Sequence, residues 1–159
     1  MYYSIYHSPF GDIALSANDS GLTALAFQAG NAAITIPNNA KNNVEVFSKV
    51  HQQLDEYFFE ERTQFTVALA PQGTPFQQKV WQALTTIKQG ETKSYSWLAE
   101  KIANKKAVRA VGTANGANPI ALIIPCHRVI GSNGKLTGYA GGLALKAKLL
   151  MHEKAQFRI

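Results

Sequence analysis

The chain has 159 residues, of which 46% are apolar and 16% charged, a composition typical of a soluble globular protein with one substantial core or two small ones. No apolar run approaches the roughly 20 residues of a membrane span, and the N-terminus lacks the basic region and apolar core of a signal peptide. The single cysteine, Cys126, cannot form an internal disulfide, which fits a reducing compartment such as the cytoplasm. We therefore expect a soluble cytoplasmic protein.

The net charge of +6 is divided unevenly along the chain. Residues 1–72 carry three basic and seven acidic side chains, a net charge of −4, whereas residues 73–159 carry 13 basic and three acidic ones, a net charge of +10. A strongly basic half favours a polyanionic partner such as nucleic acid. The same positive charge would also arise if the lysines served only to keep a helical domain soluble.

Residues 1–72 predict a small α+β domain that begins with antiparallel strands. Turn clusters at residues 9–11 and 18–21 flank alternating apolar residues, so we expect strands over residues 2–28. Residues 28–43 are small and polar and predict a loop.

A helix and a further strand complete the N-terminal half. Apolar residues at spacings of three and four predict an amphipathic helix over residues 44–59. Its apolar stripe consists of Phe47, Val50, Leu54, Tyr57 and Phe58. The alternation of Phe65, Val67 and Leu69 predicts a short strand. No catalytic constellation occurs in this half, and its scattered acidic residues predict a solvated face.

Two prolines and a glycine within residues 71–75 predict a domain boundary, with a support domain over residues 1–72 and a second domain over residues 73–159. Thr74 is a candidate helix cap, and Pro75 suits the first helical position. The apolar stripe that follows, stopped by Gly90, predicts a helix. Its members are Phe76, Val80, Trp81, Leu84 and Ile87.

Residues 94–116 predict two short helices with a tight break, a pattern typical of a helix-turn-helix and also of an ordinary helical hairpin. Ser94 is a candidate cap for the first helix, and Asn104 for the second, which runs over residues 105–115. One side of the second helix carries Ala107, Ala110, Val111 and Ala114. The other side carries Lys105, Arg109, Gly112, Thr113 and Gly116. Small side chains there let a partner approach the backbone closely.

Cys126 follows an apolar run, residues 120–124, that we expect to be extended and buried, and precedes a loop, residues 131–142, with five glycines. A thiol near pH 7 is a poor nucleophile until a base or a positive charge favours the thiolate. His127 is adjacent, but neighbours in an extended segment point in opposite directions, so we expect a water between the two side chains. An imidazole base needs a carboxylate partner, and the candidates in this half are Glu91, Glu100 and Glu153.

A last helix is predicted over residues 143–152. Leu145, Leu149 and Leu150 form its apolar side, and Lys146 and Lys148 are expected on its outer side. Glu153 follows directly.

Five ordered motifs and this glutamate resemble the O6-alkylguanine-DNA alkyltransferases, DNA repair proteins that remove alkyl groups from guanine. The motifs are Ser94-Tyr95, Arg109-Ala110-Val111-Gly112, Asn118-Pro119, Pro125-Cys126-His127-Arg128-Val129 and Gly138-Tyr139. The likeness extends from about residue 74 to residue 153. It implies an α+β fold, in which a ribonuclease H-like N-terminal domain of antiparallel sheet plus helix precedes a mainly α C-terminal domain with a helix-turn-helix.

The resemblance implies direct, irreversible and stoichiometric transfer of an alkyl group from O6 of guanine, and from O4 of thymine, in duplex DNA to Cys126. No cofactor and no metal would take part. His127 would act as base through a water, Glu153 would orient His127, and Tyr95 would donate a hydrogen bond to the guanine ring. The protein would act as a monomer on double-stranded DNA that contains O6-alkylguanine.

The same resemblance implies how the DNA is held. Arg109 would fill the gap left by the flipped nucleotide, on a helix docked in the minor groove. Further DNA contacts would come from Ala107, Ala110, Gly112 and Thr113. The substrate pocket would include Asn118, Val129, Tyr139 and Ala140, and the carbonyls of Cys126 and Val129 would accept from the guanine amino group. Some family members carry serine in place of Ala140, and a backbone amide contact there would tolerate either residue.

Three other functions are compatible with parts of the chain. A non-catalytic sensor of alkyl damage would have tryptophan in place of Cys126. A cysteine hydrolase would need two donors for an oxyanion and would leave the basic helices unexplained. A helix-turn-helix regulator would leave Cys126, His127 and the glycine-rich loop without a purpose.

Overall fold

The computed structural model describes residues 1–28, 41–42, 45–139 and 141–158. Ala140, a predicted pocket residue, lies outside the described residues, as does most of the loop predicted over residues 28–43.

The N-terminal half is built on a four-stranded sheet with strand order β3-β2-β1-β4. Its strands are β1 (Tyr2–Ser8), β2 (Gly11–Asn18), β3 (Gly21–Phe27) and β4 (Lys41–Asn42). The first three are antiparallel, as predicted. Asn18 Oδ1 accepts the backbone N–H of Ser20 and Gly21 and thereby closes the second turn. The loop prediction was wrong at residues 41–42, because the Lys41 N–H bonds to the Met1 carbonyl and forms a short parallel pair with β1.

Helix α1 (Ser48–Phe59) and Phe47, which directly precedes it, bury the entire predicted apolar stripe. The helix starts at Ser48 rather than near residue 44, because residues 45–47 form a turn in which the Ser48 N–H donates to the Glu45 carbonyl. The helix is held to β1 by a hydrogen bond of 2.6 Å from the Tyr6 hydroxyl to Asp55 Oδ1.

The predicted strand at Phe65, Val67 and Leu69 is not a regular strand. Only Leu69 pairs with β3, in a single parallel bridge to Leu22. All three side chains are still half-buried against the core. The alternation of apolar residues therefore predicted their burial correctly. It does not indicate whether a neighbouring strand is available for continuous hydrogen bonding.

The C-terminal half is mainly helical. Its elements are α2 (Pro75–Leu84), β5 (Lys93–Ser94), α3 (Tyr95–Lys101), α4 (Val108–Gly116), β6 (Val129–Ile130) and α5 (Leu143–His152), with short 3-10 helices at Lys105–Ala107 and Cys126–Arg128. Thr74 caps α2 in a reciprocal capping box with Gln77, and Pro75 occupies the first position. Together with the sheet half, this architecture confirms the predicted α+β class.

Helices α3 and α4 pack against each other across a break at residues 102–104, as the sequence predicted. The Ser94 side chain caps α3, but the Asn104 side chain makes no capping bond, so that prediction was wrong. Ala110 was predicted to share a side of the second helix with Val111 and Ala114, and this was wrong because Ala110 is exposed. The buried side is formed by Val111, Ala114 and Asn115.

Two further expectations were wrong near the cysteine. Residues 120–124 are not extended, because the Ile124 N–H bonds back to the Ile120 carbonyl and Leu122 takes a left-handed backbone with φ of 72°. Lys146 is not on the outer side of α5, because its side chain is fully buried, whereas Lys148 is exposed.

Strand β3 joins the two halves through main-chain hydrogen bonds. The Leu25 N–H donates to the Pro119 carbonyl at 2.9 Å, and the Ala121 N–H donates to the Leu25 carbonyl at 3.0 Å. One hydrophobic core extends from the sheet to α5, so the N-terminal half packs directly against the segment that carries Cys126. Within the described part of the chain, every helix is too short or too polar to traverse a bilayer.

Candidate active site

Cys126 opens the 3-10 helix Cys126–Arg128 and is only 6% exposed. Asn118 anchors the preceding turn from both ends. Its Nδ2 donates to the Ile124 carbonyl at 2.7 Å, and its Oδ1 accepts the Ile120 N–H at 3.0 Å. The tight turn thus brings a side chain that precedes Cys126 by eight residues into the wall around the thiol.

His127 is fully buried and lies 2.8 Å through Nε2 from Glu153 Oε2. The donors around Glu153 hold the pKa of that carboxyl well below its usual range against the opposing effect of burial, so the carboxylate is ionised and only accepts. His127 therefore carries its proton on Nε2. Nδ1 keeps its lone pair and has no hydrogen-bond partner among the described residues. Burial lowers the pKa of His127, which keeps the imidazole neutral and able to take a proton at Nδ1.

Glu153 is the only one of the three candidate carboxylates that is buried, and three side chains donate to it. Besides His127, the Tyr57 hydroxyl donates to Oε2 at 2.6 Å, and Arg128 donates to Oε1 at 2.8 Å and to Oε2 at 3.2 Å. Arg128 also donates to the Ile87 carbonyl at 2.7 Å. Sequence reasoning missed Tyr57 and Arg128 as members of this network.

Lys146 is the second cation that sequence reasoning missed. Its Nζ is buried and donates to the Val129 carbonyl at 2.6 Å and the Thr137 carbonyl at 3.0 Å. Burial lowers the pKa of Lys146 to about 8, and the opposing influence comes from Cys126. One signal was present in the sequence, because Lys146 precedes the apolar Leu149 and Leu150 by three and four residues and so shares their face of α5.

The ionisation of Cys126 is balanced between opposing effects. Burial raises the pKa of the thiol, whereas a hydrogen bond with the Asn118 side chain and the positive charge of Lys146 lower it. The site therefore holds a protonated thiol beside groups that stabilise the thiolate once the proton leaves.

A cavity of about 90 Å³ adjoins Cys126. Its lining includes the predicted pocket residues Asn118 and Tyr139, together with Leu25, Ala26 and Phe27 from the end of β3 and Asn115 from α4. The Tyr139 hydroxyl is buried without a hydrogen-bond partner among the described residues, and burial raises the pKa of Tyr139 well above 10. The contribution of β3 was not predicted, since it depends on the packing of the two halves.

Tyr95 and Val129 do not line this cavity but contact groups around it. The Tyr95 hydroxyl lies 2.8 Å from Thr137 Oγ1, in the glycine-rich loop. Its ring packs beside Gly112, where an added Cβ would meet it at 3.7 Å. The Val129 carbonyl accepts from Lys146, and the Cys126 carbonyl accepts the Val129 N–H. The Asn115 side-chain amide also donates to the Cys126 carbonyl, over a longer 3.5 Å.

The outer face of α4 presents the predicted DNA-contacting residues. Arg109, Ala110 and Thr113 are exposed, and Ala107 and Gly112 are half-exposed. Exposed lysines flank this face at Lys101, Lys105 and Lys106. The Trp81 indole N–H donates to the Ala114 carbonyl at 2.9 Å and fixes the helix from behind. Over the described ranges, no group of three His, Cys, Asp or Glu side chains could hold a metal ion.

Comparison with known proteins assigns both halves of the chain. Residues 75–155 match the family model for the 6-O-methylguanine DNA methyltransferase, DNA binding domain. Residues 1–71 match the model for the 6-O-methylguanine DNA methyltransferase, ribonuclease-like domain, which confirms the predicted ribonuclease-like N-terminal part.

Individual relatives agree with these models. The methylated-DNA–protein-cysteine methyltransferase of Methanosarcina acetivorans is 51% identical over 153 residues, which is 96% of this chain and 98% of the relative. The crystal structure of Mycobacterium tuberculosis OGT in complex with DNA matches with a TM-score of 0.89 at 47% identity, over 97% of this chain and 93% of that one. An O6-methylguanine DNA methyltransferase from Methanococcus jannaschii matches with a TM-score of 0.70 at 25% identity, over 98% and 95% of the two chains.

Proposed function

The chain belongs to the 6-O-methylguanine DNA methyltransferase family of DNA repair proteins, and from that premise we propose that Cys126 accepts the alkyl group of O6-alkylguanine in a single irreversible transfer. The observation that carries the proposal is the buried contact of His127 Nε2 with Glu153, which leaves Nδ1 of a neutral imidazole as a base in the residue next to the thiol. A damage sensor that lacks chemistry is not favoured, because Cys126 is present and the relatives are named as cysteine methyltransferases.

The transfer is a direct displacement at the alkyl carbon. The thiol proton of Cys126 passes through a water to His127 Nδ1, and Glu153 stabilises the imidazolium that forms. The thiolate sulfur then forms a bond to the alkyl carbon while the bond from that carbon to O6 breaks. The electron pair stays on guanine, which takes a proton from the Tyr95 hydroxyl and leaves as the unmodified base. The tyrosinate regains a proton from water and His127 returns the thiol proton to water, so the thiol proton is in effect the one that guanine gains. The thioether is stable, so each molecule acts once.

The substrate base would enter the cavity beside Cys126, with Asn118 and Tyr139 in its wall. The carbonyls of Cys126 and Val129 would accept from the guanine amino group, which at Cys126 would replace the long 3.5 Å bond from Asn115. A thymine alkylated at O4 lacks that amino group and would form fewer hydrogen bonds, so we expect slower transfer from it.

On duplex DNA, α4 would dock with Arg109 inserted in place of the flipped nucleotide. The support for this is the exposed arginine among small residues on a face flanked by exposed lysines. Residues 73–159 would thus form the alkyltransferase and DNA-binding domain, and residues 1–72 would support it. We expect the protein to act as a monomer in the cytoplasm, where reducing conditions keep its one thiol available.

The first test is the mass of the intact protein after incubation with a duplex oligonucleotide that contains one O6-methylguanine. We expect a gain of one methyl group on Cys126, with an end point of one transfer per protein molecule. Cys126→Ser is the matched control, because it removes the thiol and little volume, and it should gain nothing. Repeated turnover, or a methyl group on another residue, would contradict the proposal.

The second test separates DNA docking from chemistry. Arg109→Ala should slow repair of duplex DNA on the order of 100-fold, because the variant no longer offsets the few kcal/mol that base flipping costs. Its reaction with free O6-benzylguanine, which needs no flipping, should stay within about twofold of the unaltered protein. Equal losses with the two substrates would show that Arg109 does not take part in flipping.

A further inference from the structure

One residue of the N-terminal half contacts the His127–Glu153 pair of the site. Tyr57, on α1, is 1% exposed, and its hydroxyl donates to Glu153 Oε2 at 2.6 Å. The same oxygen lies 2.8 Å from His127 Nε2. A residue 96 positions from Glu153 in the sequence therefore shares an acceptor atom with His127.

Tyr57 is held in place at both ends. His152, the last residue of α5, donates through Nε2 to the Tyr57 carbonyl at 2.8 Å, and its ring centroid lies 4.8 Å from that of Tyr57. The Tyr57 ring also contacts Phe58 and Phe65, with centroid distances of 5.0 and 5.6 Å. The hydroxyl is thus presented to Glu153 by packed groups from both halves of the chain.

We propose that Tyr57 is a positioning residue for alkyl transfer, which orients the Glu153 carboxylate and limits how strongly that carboxylate retains a proton on His127. This inference rests on the roles given above to His127 and Glu153. It assigns the N-terminal half a direct part in the chemistry of Cys126.

Glu153 Oε2 accepts from three donors, and the bonds from Tyr57 and His127 are the two shortest. Each hydrogen bond to Oε2 withdraws electron density, so the Tyr57 bond weakens the pull of Glu153 on the imidazole proton. Without it, Oε2 would accept only from His127 and, over a longer 3.2 Å, from Arg128, and Glu153 would favour the protonated imidazolium, which cannot act as a base. Burial and the charge of Glu153 raise the pKa of Tyr57 far above 10, so its hydroxyl remains a neutral donor at any working pH.

Other charged or titratable groups surround Tyr57, His127 and Glu153 and must stay unchanged in a test. They are Arg128, Lys146, Tyr139, Cys126 and His152.

Tyr57→Phe removes the hydroxyl and keeps the ring. The matched control is Tyr6→Phe, because the Tyr6 hydroxyl also donates to a carboxylate of α1, Asp55, at 2.6 Å, and Tyr6 is 5% exposed. Each variant removes one hydrogen bond of 2.6 Å from a buried tyrosine of the N-terminal half to a carboxylate, but only the Tyr57 bond reaches Glu153. The measurements are the single-turnover rate of methyl transfer from pH 5 to pH 9 and the titration of the His127 imidazole nitrogens by NMR.

We expect Tyr57→Phe to transfer methyl about tenfold more slowly near neutral pH, which is about 1.4 kcal/mol of barrier. The acid limb of its pH–rate profile and the titration of His127 should both move to higher pH. Tyr6→Phe should keep the rate within about twofold and leave the His127 titration in place. A general loss of stability would affect both variants alike and would not shift the titration of one imidazole.

Equal rates and equal His127 titrations in the two variants would overturn the proposal. The NMR titration also separates it from the proposed function, because it reports the coupling of Tyr57 to His127 even in a protein that transfers no methyl group. If Tyr57→Phe does not fold, the Tyr6→Phe protein made with 3-fluorotyrosine gives the opposite perturbation. The fluorinated phenol is a stronger donor, so the His127 titration should move to lower pH, and an unmoved titration would overturn the inference.

Discussion

Positive charge is used in opposite ways on the two sides of the C-terminal half. On the α4 side, Arg109 and its neighbouring lysines are exposed. Around Cys126, Arg128 is 7% exposed and Lys146 is fully buried, and both make hydrogen bonds to groups of the protein. The net charge of +10 in this half therefore overstates the charge available to a polyanion. The exposed cations suit phosphate, and the buried ones control the ionisation of side chains beside the thiol.

The largest expected effect comes from breaking the buried ion pair. Arg128→Met should lower the free energy of unfolding by about 3–5 kcal/mol, because it leaves the buried Glu153 charge without its guanidinium partner. Arg109→Met makes the same change on the exposed side and should alter stability by no more than about 0.5 kcal/mol. Urea unfolding of the two variants measures the difference. Similar decreases in the free energy of unfolding would show that the buried and the exposed arginine contribute alike to stability.

The sign of the pH dependence sharpens this test. Glu153 has a depressed pKa in the folded state, so the stability it contributes is present above the unfolded pKa of about 4.3 and is lost as the pH falls through the folded value. The difference in the free energy of unfolding between Arg128→Met and the unaltered protein should therefore decrease below about pH 4. A difference that stays constant down to pH 2 would mean that the ion pair is not its source.

A smaller effect is expected from the buried lysine. Lys146→Met should slow methyl transfer about tenfold, because the Cys126 thiolate loses a buried positive charge. Stability should change little, since the substitution removes two hydrogen bonds together with a charge that burial disfavours. Lys148→Met, on the exposed side of the same helix, should leave the rate unchanged.

The pKa of Lys146 predicts how the effect of this lysine on the transfer rate depends on pH. Because this pKa lies at about 8, the unaltered protein should lose part of the lysine's assistance above that pH. Lys146→Arg should keep its charge and move this loss to higher pH. A pH–rate profile that is identical for lysine and methionine at position 146 would rule out an electrostatic role.

The smallest effect is expected from single cations on the exposed side. Lys106→Gln should reduce the dependence of duplex affinity on salt by about one unit in the log–log slope, because one fewer counterion is released. Lys49→Gln makes the same change on an exposed position of α1 and should leave the slope unaltered. Fluorescence anisotropy with a labelled duplex at several salt concentrations measures the slopes, and equal slopes would remove Lys106 from the phosphate contacts.

The sequence pattern predicted most of the secondary structure, because interactions between residues close in sequence determine it. The capping box at Thr74, the apolar stripe of α1 and the two helices around residues 102–104 follow from periodicity and backbone chemistry within a few residues. The family likeness of the cysteine motif added the ribonuclease-like N-terminal fold. Local rules failed at residues 120–124, where an apolar run that suits a strand forms a turn instead. The Asn118 side chain and the main-chain bonds of Leu25 to Pro119 and Ala121 hold that conformation.

The sequence by itself determined the helices and the first three strands, the basic half, and the identity of the thiol and the adjacent imidazole. Pattern alone left three carboxylates open as the partner of His127, and the family resemblance named Glu153. Only the tertiary structure shows that contact, the burial of Lys146 and the bond from Tyr57 to Glu153 between the two halves. The physical reason is the distance along the chain. The partners in these contacts are separated by 26 and 96 residues, so their meeting depends on how whole elements pack.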